Sequence, residues 1–319
     1  MSAGASSGAG ACLSPRPALP RGPDAPAGRA ELTRLECVAN VSEGRDQRAL
    51  GALAGACGGV LLDLHSDADH HRSVFTLAGT PDAVQDGVRS LTRLAVTTLD
   101  ISVHRGAHPR FGVVDVVPFV PLGSPELGPA VAARDAYGEW AAATLGLPCF
   151  LYGPLPHGAS RSLPEVRRRA FIDLSPDIGP PRPHPSAGAV AVGAREVLVA
   201  YNLWLEGADL EIARRVAAAL RGPSVRALGF ELAAGIQVSC NLLDPAVIGP
   251  AEVYDRTAAL LRTAGHRGEQ GGVIRRAELV GLVPAAVMTR IPPTRWHELD
   301  LSPDRTIEAR LEASGGAPG

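Results

Sequence analysis

Hydrophobic positions change their spacing along the chain, and the changes predict strands that alternate with amphipathic helices. Short runs rich in Val, Leu and Ile predict strands over residues 35–41, 59–64, 74–78, 113–120, 149–152, 189–192, 197–205, 225–230, 236–242 and 273–282. Apolar residues that return every three or four positions predict helices over residues 46–56, 81–100, 125–145, 164–169, 210–220 and 250–263. This alternation indicates an α/β (α+β) fold.

The predicted elements fall into two halves of related order. Residues 34–178 read strand-helix-strand-strand-helix-strand with a further helix and strand, and residues 179–300 again place two long helices against one sheet. We therefore predict two ferredoxin-like α/β subdomains, each a mixed sheet covered by helices. Residues 1–33, rich in Ala, Gly, Ser and Pro, are expected to be a disordered leader. Residues 301–319 are expected to be a polar tail with one helical turn.

Composition narrows the possible classes of function. A formal net charge of −2 gives no general attraction to nucleic acid or membrane surfaces, and no apolar run is long enough to span a bilayer. The chain contains no lysine, which excludes Schiff-base chemistry and a phosphate-binding P-loop. Its five cysteines are scattered without C-x-x-C spacing, as is typical of a reducing cytoplasm. The sequence also has no serine-nucleophile elbow and no dinucleotide-binding glycine fingerprint.

Residues 104–120 are the most informative segment, because polar residues run directly into an apolar, β-branched stretch. His104, Arg105, His108 and Arg110 fall within seven positions, beside a glycine and a proline that favour a loop over a helix. Catalytic groups are often placed on a loop that enters a rigid strand. Histidine transfers protons near neutral pH and arginine binds carboxylates. The segment therefore predicts proton transfer on an anionic substrate.

A second polar cluster, residues 63–73, lies between two predicted strands and contains three histidines and Arg72. A solvated turn is one interpretation, but an ordinary turn does not require three histidines, so we favour a functional site. The histidines of both clusters could in principle form a metal site. The neighbouring glycine and proline oppose the helical spacing that zinc sites use, and the arginines oppose a bound dication. We therefore predict no metal.

A third segment, residues 175–188, contains several prolines and glycines that stiffen the chain. One interpretation is a linker between the two halves. The other is a preformed wall for a flat ligand that lies between the halves, where pockets often form.

Taken together, these segments resemble the formiminotransferase family (glutamate formimidoyltransferases). ECVANVSEGR at 36–45 is similar to the family's ECVPNFSEGR, DADHHRSVFT at 67–76 to DPDHNRSVYT, and residues 104–118 to HKGEHPRMGALDVCP. Further similar stretches occur, in the same order, at 176–180, 192–195, 200–202, 237–242 and 280–284. The resemblance covers about residues 35–290. Several separate motifs in the family's order make the resemblance specific.

The resemblance implies transfer of the formimidoyl group from N-formimidoyl-L-glutamate to N5 of tetrahydrofolate. The products would be glutamate and 5-formimidoyltetrahydrofolate, in histidine degradation. It also implies a cytoplasmic homodimer that uses tetrahydrofolate as co-substrate, with no metal, nucleic acid or membrane partner.

Site residues follow from the motif matches. His108, in the His-Pro-Arg tripeptide, matches the family's catalytic histidine, and Arg72 and Arg110 are our candidates for binding substrate carboxylates. The predicted substrate- and folate-binding residues are Gly179, Pro180, Pro181, Arg182, Pro183, His184, Pro185, Ser186, Ala187, Gly188, Arg110, Arg72, His65 and Asn40.

Three positions depart from the family pattern. Ala107 stands where the family has an acidic residue, His65 where it has an aspartate, and His71 where asparagine is frequent. A folate-binding protein without catalysis is therefore one alternative, because His108 would lack its usual carboxylate partner. A related folate-dependent formyltransferase is a second, since the motifs do not separate the two donors. A metal-dependent hydrolase is the third, and it would require stoichiometric metal.

Overall fold

Strands and helices alternate in the structure in the order that the spacing of hydrophobic residues predicts. The structure is a computed structural model that describes residues 33–106, 110–263 and 271–315, so most of the predicted leader lies outside the described residues. The strands are β1 (Arg34–Val41), β2 (Leu61–Asp67), β3 (Arg72–Gly79), β4 (Val114–Leu122), β5 (Cys149–Pro154), β6 (Ser160–Arg161), β7 (Val190–Ala194), β8 (Val199–Glu206), β9 (Val225–Leu232), β10 (Gly235–Leu242) and β11 (Val273–Val280). The helices are α1 (Gln47–Ala56), α2 (Pro81–Thr98), α3 (Gly128–Leu145), α4 (Leu163–Arg169), α5 (Leu210–Leu220), α6 (Pro250–Leu261), α7 (Ala285–Met288) and α8 (Ile307–Ala313).

The first sheet begins as a ferredoxin-like unit. Strands β1 to β4, interrupted by α1 and α2, lie in the order β2-β3-β1-β4 and pair antiparallel. Strand β7 then pairs parallel with both β4 and β5, and β6 forms the edge, which gives a mixed sheet of seven strands. We expected the strand near residue 190 in the second half of the fold. It lies in the first sheet because its hydrogen bonds go to β4 and β5, whereas the boundary between residues 178 and 179 stays a prediction.

One face of the first sheet is covered by helices that begin at capping residues in the sequence. The Asp46 carboxylate accepts two backbone N–H groups at the start of α1, and the Thr80 hydroxyl accepts one at the start of α2, where Pro81 fits the first turn. Helices α1, α2 and α3 bury alternate residues of β1, including Leu35 and Cys37. The opposite face, which carries the other residues of β1, remains available for a site.

The second sheet repeats the connectivity of the first unit. Strands β8, β9, β10 and β11, with α5 and α6 between them, lie in the order β11-β8-β10-β9. Every pair is antiparallel, so this sheet is not mixed, because the parallel pairs belong to the first sheet. Helices α5 and α6 bury Tyr201, Leu203 and Val238 on one face. The two halves of the chain therefore share a topology, as predicted.

The C-terminal segment is more ordered than the expected polar tail. Helix α8 has seven residues, and its Ile307 and Leu311 side chains are buried. Both belong to a small cluster with Leu62 and Ala78 of the first sheet. The apolar side arises because these two residues lie four positions apart, on one face of a helix.

The hairpin of β2 and β3 connects the two sheets. Nε2 of His65 on β2 lies 3.6 Å from Oε1 of Glu278 on β11. At the hairpin tip, the Asp69 carboxylate accepts the backbone N–H of Ala234 at 3.2 Å. Next to it, the His70 ring meets the Phe230 ring edge-on, with centroids 5.3 Å apart. The polar hairpin tip therefore lies between the sheets.

Candidate functional site

Asp115 is the acidic centre of the candidate site. The register of β4 against β1 skips one residue opposite Asn40 and Val41, which makes Asp115 the extra residue of a β-bulge. Its carboxylate is fully buried, where an unpaired charge would be costly. Oδ1 accepts a hydrogen bond from the backbone N–H of Phe111 at 3.1 Å, and Oδ2 accepts one from Nη2 of Arg167 at 2.5 Å. The bulge thus directs a charged group away from an otherwise apolar strand.

Three arginines converge on this carboxylate. Nη1 of Arg110 lies 3.7 Å from Oδ2 of Asp115, and the Arg110 side chain is only 3% exposed. Burial lowers the pKa of Arg72, on which the charges of Asp115, Arg167 and Asp67 also act. Burial and the adjacent Arg72 lower the pKa of Arg110 to about 9. We call Arg72, Arg110, Arg167, Asp67 and Asp115 the arginine cluster; its three cations outnumber its two anions, which favours binding of a further carboxylate.

Half of the predicted folate loop packs against the residues that follow Arg110. Residues 184–188 form a tight turn. The His184 N–H donates to the Gly188 carbonyl oxygen at 2.7 Å, and the Gly188 N–H donates to the His184 carbonyl oxygen at 2.9 Å. The Ala187 carbonyl accepts the N–H of Val113 at 2.9 Å. Gly188 has a φ of +73°, and a Cβ there would lie 2.2 Å from the Phe111 carbonyl oxygen.

The other half of that loop is more open. Gly179 has a φ of +93°, which a glycine adopts without strain. Pro181, Arg182 and Pro183 are exposed, and Pro180 is half-buried. These residues precede the turn that packs beside the segment after Arg110.

The hairpin tip also holds the segment that precedes residue 107. Nε2 of His71 lies 3.1 Å from Oε1 of Glu43, and Nδ1 lies 3.1 Å from the carbonyl oxygen of Arg105. Nε2 of His104 lies 2.8 Å from the carbonyl oxygen of His71. The two imidazole rings stack with centroids 4.4 Å apart and planes 10° apart. We call His71 and His104 the histidine pair.

His70 connects the arginine cluster to the second sheet. Nη2 of Arg110 donates to the His70 carbonyl oxygen at 3.3 Å. Burial lowers the pKa of the His70 imidazole, and Asp67 and the nearby Gln237 side chain partly offset this effect. Gln237 lies on β10 and is fully buried. A neutral imidazole is therefore favoured at the hairpin tip.

His65 and Asn40 have separate surroundings from the arginine cluster. His65 faces Glu278, and Oε2 of Glu278 accepts a hydrogen bond from the Trp204 indole N–H at 2.8 Å. His65 also lines a cavity of about 640 Å³ beside β11. Asn40 is half-buried on β1, and its amide donates to the Val38 carbonyl at 3.0 Å. The structure thus brings Arg72, Arg110 and residues 184–188 close together and leaves His65 and Asn40 outside this contact network.

The predicted catalytic residue His108, with Ala107 and Pro109, lies outside the described residues. The described residues on either side, Gly106 and Arg110, both lie close to the His70 carbonyl oxygen. A Cβ at Gly106 would be 2.4 Å from this oxygen, and Arg110 donates a hydrogen bond to it. The role of His108 therefore stays a prediction.

Several residues that build the described site were not among those predicted from the sequence. Asp115 had a usable signal, because a carboxylate inside the run Val-Val-Asp-Val-Val must be paired if the strand is buried. Glu43 lies in the matched segment 36–45, but that match does not indicate which partners its carboxylate has. Arg167 belongs to three consecutive arginines, and only its packing shows which one points to the site.

Metal coordination and membrane insertion each require a recognisable grouping of residues. Among the described residues, no group of three His, Cys, Asp or Glu side chains is placed to hold a metal ion. No helix within the described ranges is long and apolar enough to cross a membrane. Four cysteines in those ranges are buried free thiols.

Comparison with known proteins identifies related chains. The family model for the formiminotransferase domain, N-terminal subdomain, matches residues 34–195. A glutamate formimidoyltransferase of Streptococcus pyogenes serotype M1 is 34% identical over 275 residues, which cover 80% of this chain and 90% of that protein. A glutamate formimidoyltransferase of Thermoplasma acidophilum is 32% identical over 79% of this chain and 89% of its own length.

A longer relative matches over part of its length. The formimidoyltransferase-cyclodeaminase of Sus scrofa is 35% identical over 277 residues, which cover 78% of this chain and 50% of that protein. The chain therefore spans about half the length of this relative, and most of the length of the two glutamate formimidoyltransferases.

Proposed function

Because this chain belongs to the formiminotransferase family, we propose that it transfers the formimidoyl group from N-formimidoyl-L-glutamate to N5 of tetrahydrofolate. The observation that carries this proposal is the arginine cluster beside the 184–188 turn. It provides net positive charge for an anionic donor next to a preformed wall for a flat co-substrate. Relatives named glutamate formimidoyltransferase that match over about 90% of their own length support the same activity.

Arg72 and Arg110 are the proposed ligands of the substrate carboxylates, and Arg167 is a third candidate. Their planar guanidinium groups bind carboxylates through paired hydrogen bonds. Asp115 limits their mutual repulsion, because its carboxylate lies within 3.7 Å of Arg110 and 2.5 Å of Arg167. A dianionic glutamate derivative would add the negative charge that the arginine cluster favours.

His108 is the proposed general base. It would take the proton of N5 as N5 attacks the amidine carbon of the donor. The bond between that carbon and the glutamate nitrogen then breaks, and a proton is delivered to the departing nitrogen, so the proton lost from N5 is balanced by the one gained by glutamate. Positioned acid–base catalysis contributes about 10²–10⁴-fold, and alignment of the two bound substrates contributes more.

The loop of residues 179–188 is the proposed folate contact. Its proline-rich half is stiff and exposed, and its other half is fixed by hydrogen bonds to residues 101 and 113. A wall that is ordered before binding loses little entropy when a ligand is bound. His65 on β2 and Asn40 on β1 stay proposed substrate-binding residues, although their described contacts are separate from the arginine cluster.

The remaining expectations form part of this proposal. We propose a role in histidine degradation, a cytoplasmic location and a homodimer, with tetrahydrofolate as co-substrate and no metal. Buried free thiols, among the cysteines that the structure describes, are consistent with a reducing compartment.

The test is a transfer assay with tetrahydrofolate and N-formimidoyl-L-glutamate, followed by acidification and measurement of methenyl-tetrahydrofolate absorbance. We expect turnover by the wild-type chain and loss of at least about 10²-fold in kcat for His108→Ala, because the base is removed. Folate binding should remain near normal in the variant, and loss of binding would contradict the catalytic assignment. Turnover with a formyl donor alone would favour a formyltransferase, and folate binding without any turnover would favour a non-catalytic protein.

A further inference from the structure

The Glu43 carboxylate is a strong, fixed acceptor at the end of β1. Its Oε1 accepts three backbone N–H groups, from Gly44 at 2.8 Å, Arg45 at 2.7 Å and Asp46 at 3.0 Å. Partial burial acts to raise the pKa of Glu43, but the backbone donors and His71 outweigh it and lower that pKa below its ordinary value. The carboxylate is therefore ionised at neutral pH, and it accepts hydrogen bonds without donating any.

Both ring nitrogens of His71 face acceptors. Nε2 points to the Glu43 carboxylate and Nδ1 to the Arg105 carbonyl oxygen, each at 3.1 Å. A neutral imidazole carries one N–H, so it would leave one nitrogen lone pair directed at an oxygen lone pair. The imidazolium form carries two N–H groups and satisfies both oxygens. The geometry therefore selects the cationic form of His71.

The neighbouring groups are compatible with one cation in this position. His104 stacks on His71, and burial lowers its pKa, with the charges of His71 and Arg110 acting in the same direction. His104 Nε2 donates to the His71 carbonyl oxygen, which a neutral imidazole can do. A neutral ring stacked on an imidazolium is attractive in the manner of a cation–π contact.

The backbone around His71 leaves little room for another arrangement. His71 has a φ of +49°, which non-glycine residues adopt only when the surroundings hold them. On one side of the hairpin tip, a Cβ at Gly44 would lie 2.2 Å from the Asp67 carbonyl oxygen. On the other side, a Cβ at Gly106 would lie 2.4 Å from the His70 carbonyl oxygen. The tip is therefore tightly enclosed between the β1–α1 turn and the segment that precedes residue 107.

We propose that His71 is a positioning residue, which as an imidazolium joins Glu43 to the Arg105 carbonyl and so fixes the segment that leads to His108. The effect of this link on catalysis rests on the proposed function. The link itself, from Glu43 through His71 to the Arg105 carbonyl, is called the clamp here and can be observed without turnover. Glu43 and His104 are the titratable groups that the described contacts place against His71.

The direct test is amide hydrogen exchange of the peptide that contains residues 104–106, in the full-length chain. His71→Asn should raise its exchange rate about tenfold at pH 7, because the Arg105 carbonyl loses its charged donor. Glu43→Gln should do the same.

His157→Asn is the matched control. His157 also has a left-handed backbone, with a φ of +61°, but it is exposed and lies away from the site on a short turn. Asparagine tolerates that backbone region in both variants. The control should leave the exchange of residues 104–106 unchanged.

Kinetics then separate the clamp from the proposed function. His71→Asn should lower kcat about tenfold with little change in KM, since misplacement of a reacting group costs rate more than binding. Equal exchange rates in wild type and His71→Asn would overturn the clamp, even with normal transfer activity. A wild-type chain that shows the exchange difference but transfers nothing would overturn the proposed function and retain the clamp.

Discussion

Charge placement at single residues decides the chemistry of this molecule. Asp115 is the clearest case, because one buried carboxylate is shared by Arg110 and Arg167 and also acts on Arg72. Without this carboxylate, the positive charges of the three arginines would repel one another. Here the β-bulge holds the acid in place, and the arginines assemble around it.

Asp115→Asn should therefore destabilise the fold by about 3–5 kcal/mol, because it leaves buried guanidinium groups without their counter-charge. Urea unfolding at neutral pH measures the loss. Asp173→Asn is the matched control: Asp173 is 60% exposed in its ion pair with Arg169, and its replacement should change the free energy of unfolding by less than about 1 kcal/mol. Similar losses in both variants would show that burial of Asp115 is not what matters.

Glu36 gives the fold a predictable response to pH. Burial raises the pKa of Glu36 to about 7, with Arg195 opposing the rise and Glu308 adding to it. The folded chain thus binds this proton more tightly than the unfolded chain, so the free energy of unfolding falls as the pH rises from 4.5 to about 7. The full effect is about 3 kcal/mol.

Glu36→Gln should remove this fall, so that the variant is more stable than the wild type at pH 8 and gains nothing at about pH 4. Urea unfolding across that range measures the difference. The exposed Glu206→Gln provides the control and should keep the wild-type slope. An unchanged slope in Glu36→Gln would mean that another group sets the pH response.

At the scale of elements, the site depends on how closely the β1–α1 turn approaches the β2–β3 hairpin. Glu43 sits in that turn and His71 at the hairpin tip, and the contact between them brings the segment before residue 107 to both. Gly44 permits the approach, because a Cβ there would lie 2.2 Å from one backbone atom of the hairpin and 2.6 Å from another.

Gly44→Ala should therefore destabilise the chain by at least about 1–3 kcal/mol, since backbone atoms on both sides would have to move. Gly51→Ala is the control, because Gly51 lies in α1 and a Cβ there would meet no atom within 4 Å. That change should stabilise the chain by about 0.5–1 kcal/mol, as alanine does in a helix. Thermal unfolding of the two variants should shift in opposite directions, and equal shifts would contradict the close approach.

At the scale of the whole molecule, α8 returns from the C-terminal part of the chain to the first sheet. Leu311 packs with Leu62 and Ala78, and Leu282, which follows β11, joins the same cluster. Residues that are far apart in the sequence thus share one small core, and the two sheets are coupled through it.

Leu311→Ala should cost about 2–4 kcal/mol, because it leaves a cavity in that shared core. The exposed Glu312→Ala, one residue away on the same helix, should change stability by no more than about 0.5 kcal/mol. Tryptophan fluorescence during urea unfolding reports on both sheets, since Trp140 packs on the first core and Trp296 on the second. Equal stability of the two variants would show that α8 is not part of the folded core.

The order of strands and helices, the two related halves and the family could all be predicted from the amino-acid sequence. These depend on local spacing and on short motifs, which any stretch of chain carries with it. Arg72 and Arg110 were also predicted, because a histidine- and arginine-rich segment beside a strand is a local signal. The sheet to which the strand near residue 190 belongs and the antiparallel pairing of the second sheet depend on partners distant in the sequence, which local spacing does not specify.

Which charged groups come into contact depends on the three-dimensional packing of the chain. Asp115, Arg167, Glu43 and Gln237 come from four separate elements, and nothing in their immediate neighbours states that they share one region. Their convergence follows from strand register, from a bulge that adds one residue to β4, and from glycines that allow backbones to approach. Burial then fixes which groups keep their charge, because the cost of removing a charge from water depends on every neighbour in space rather than in sequence.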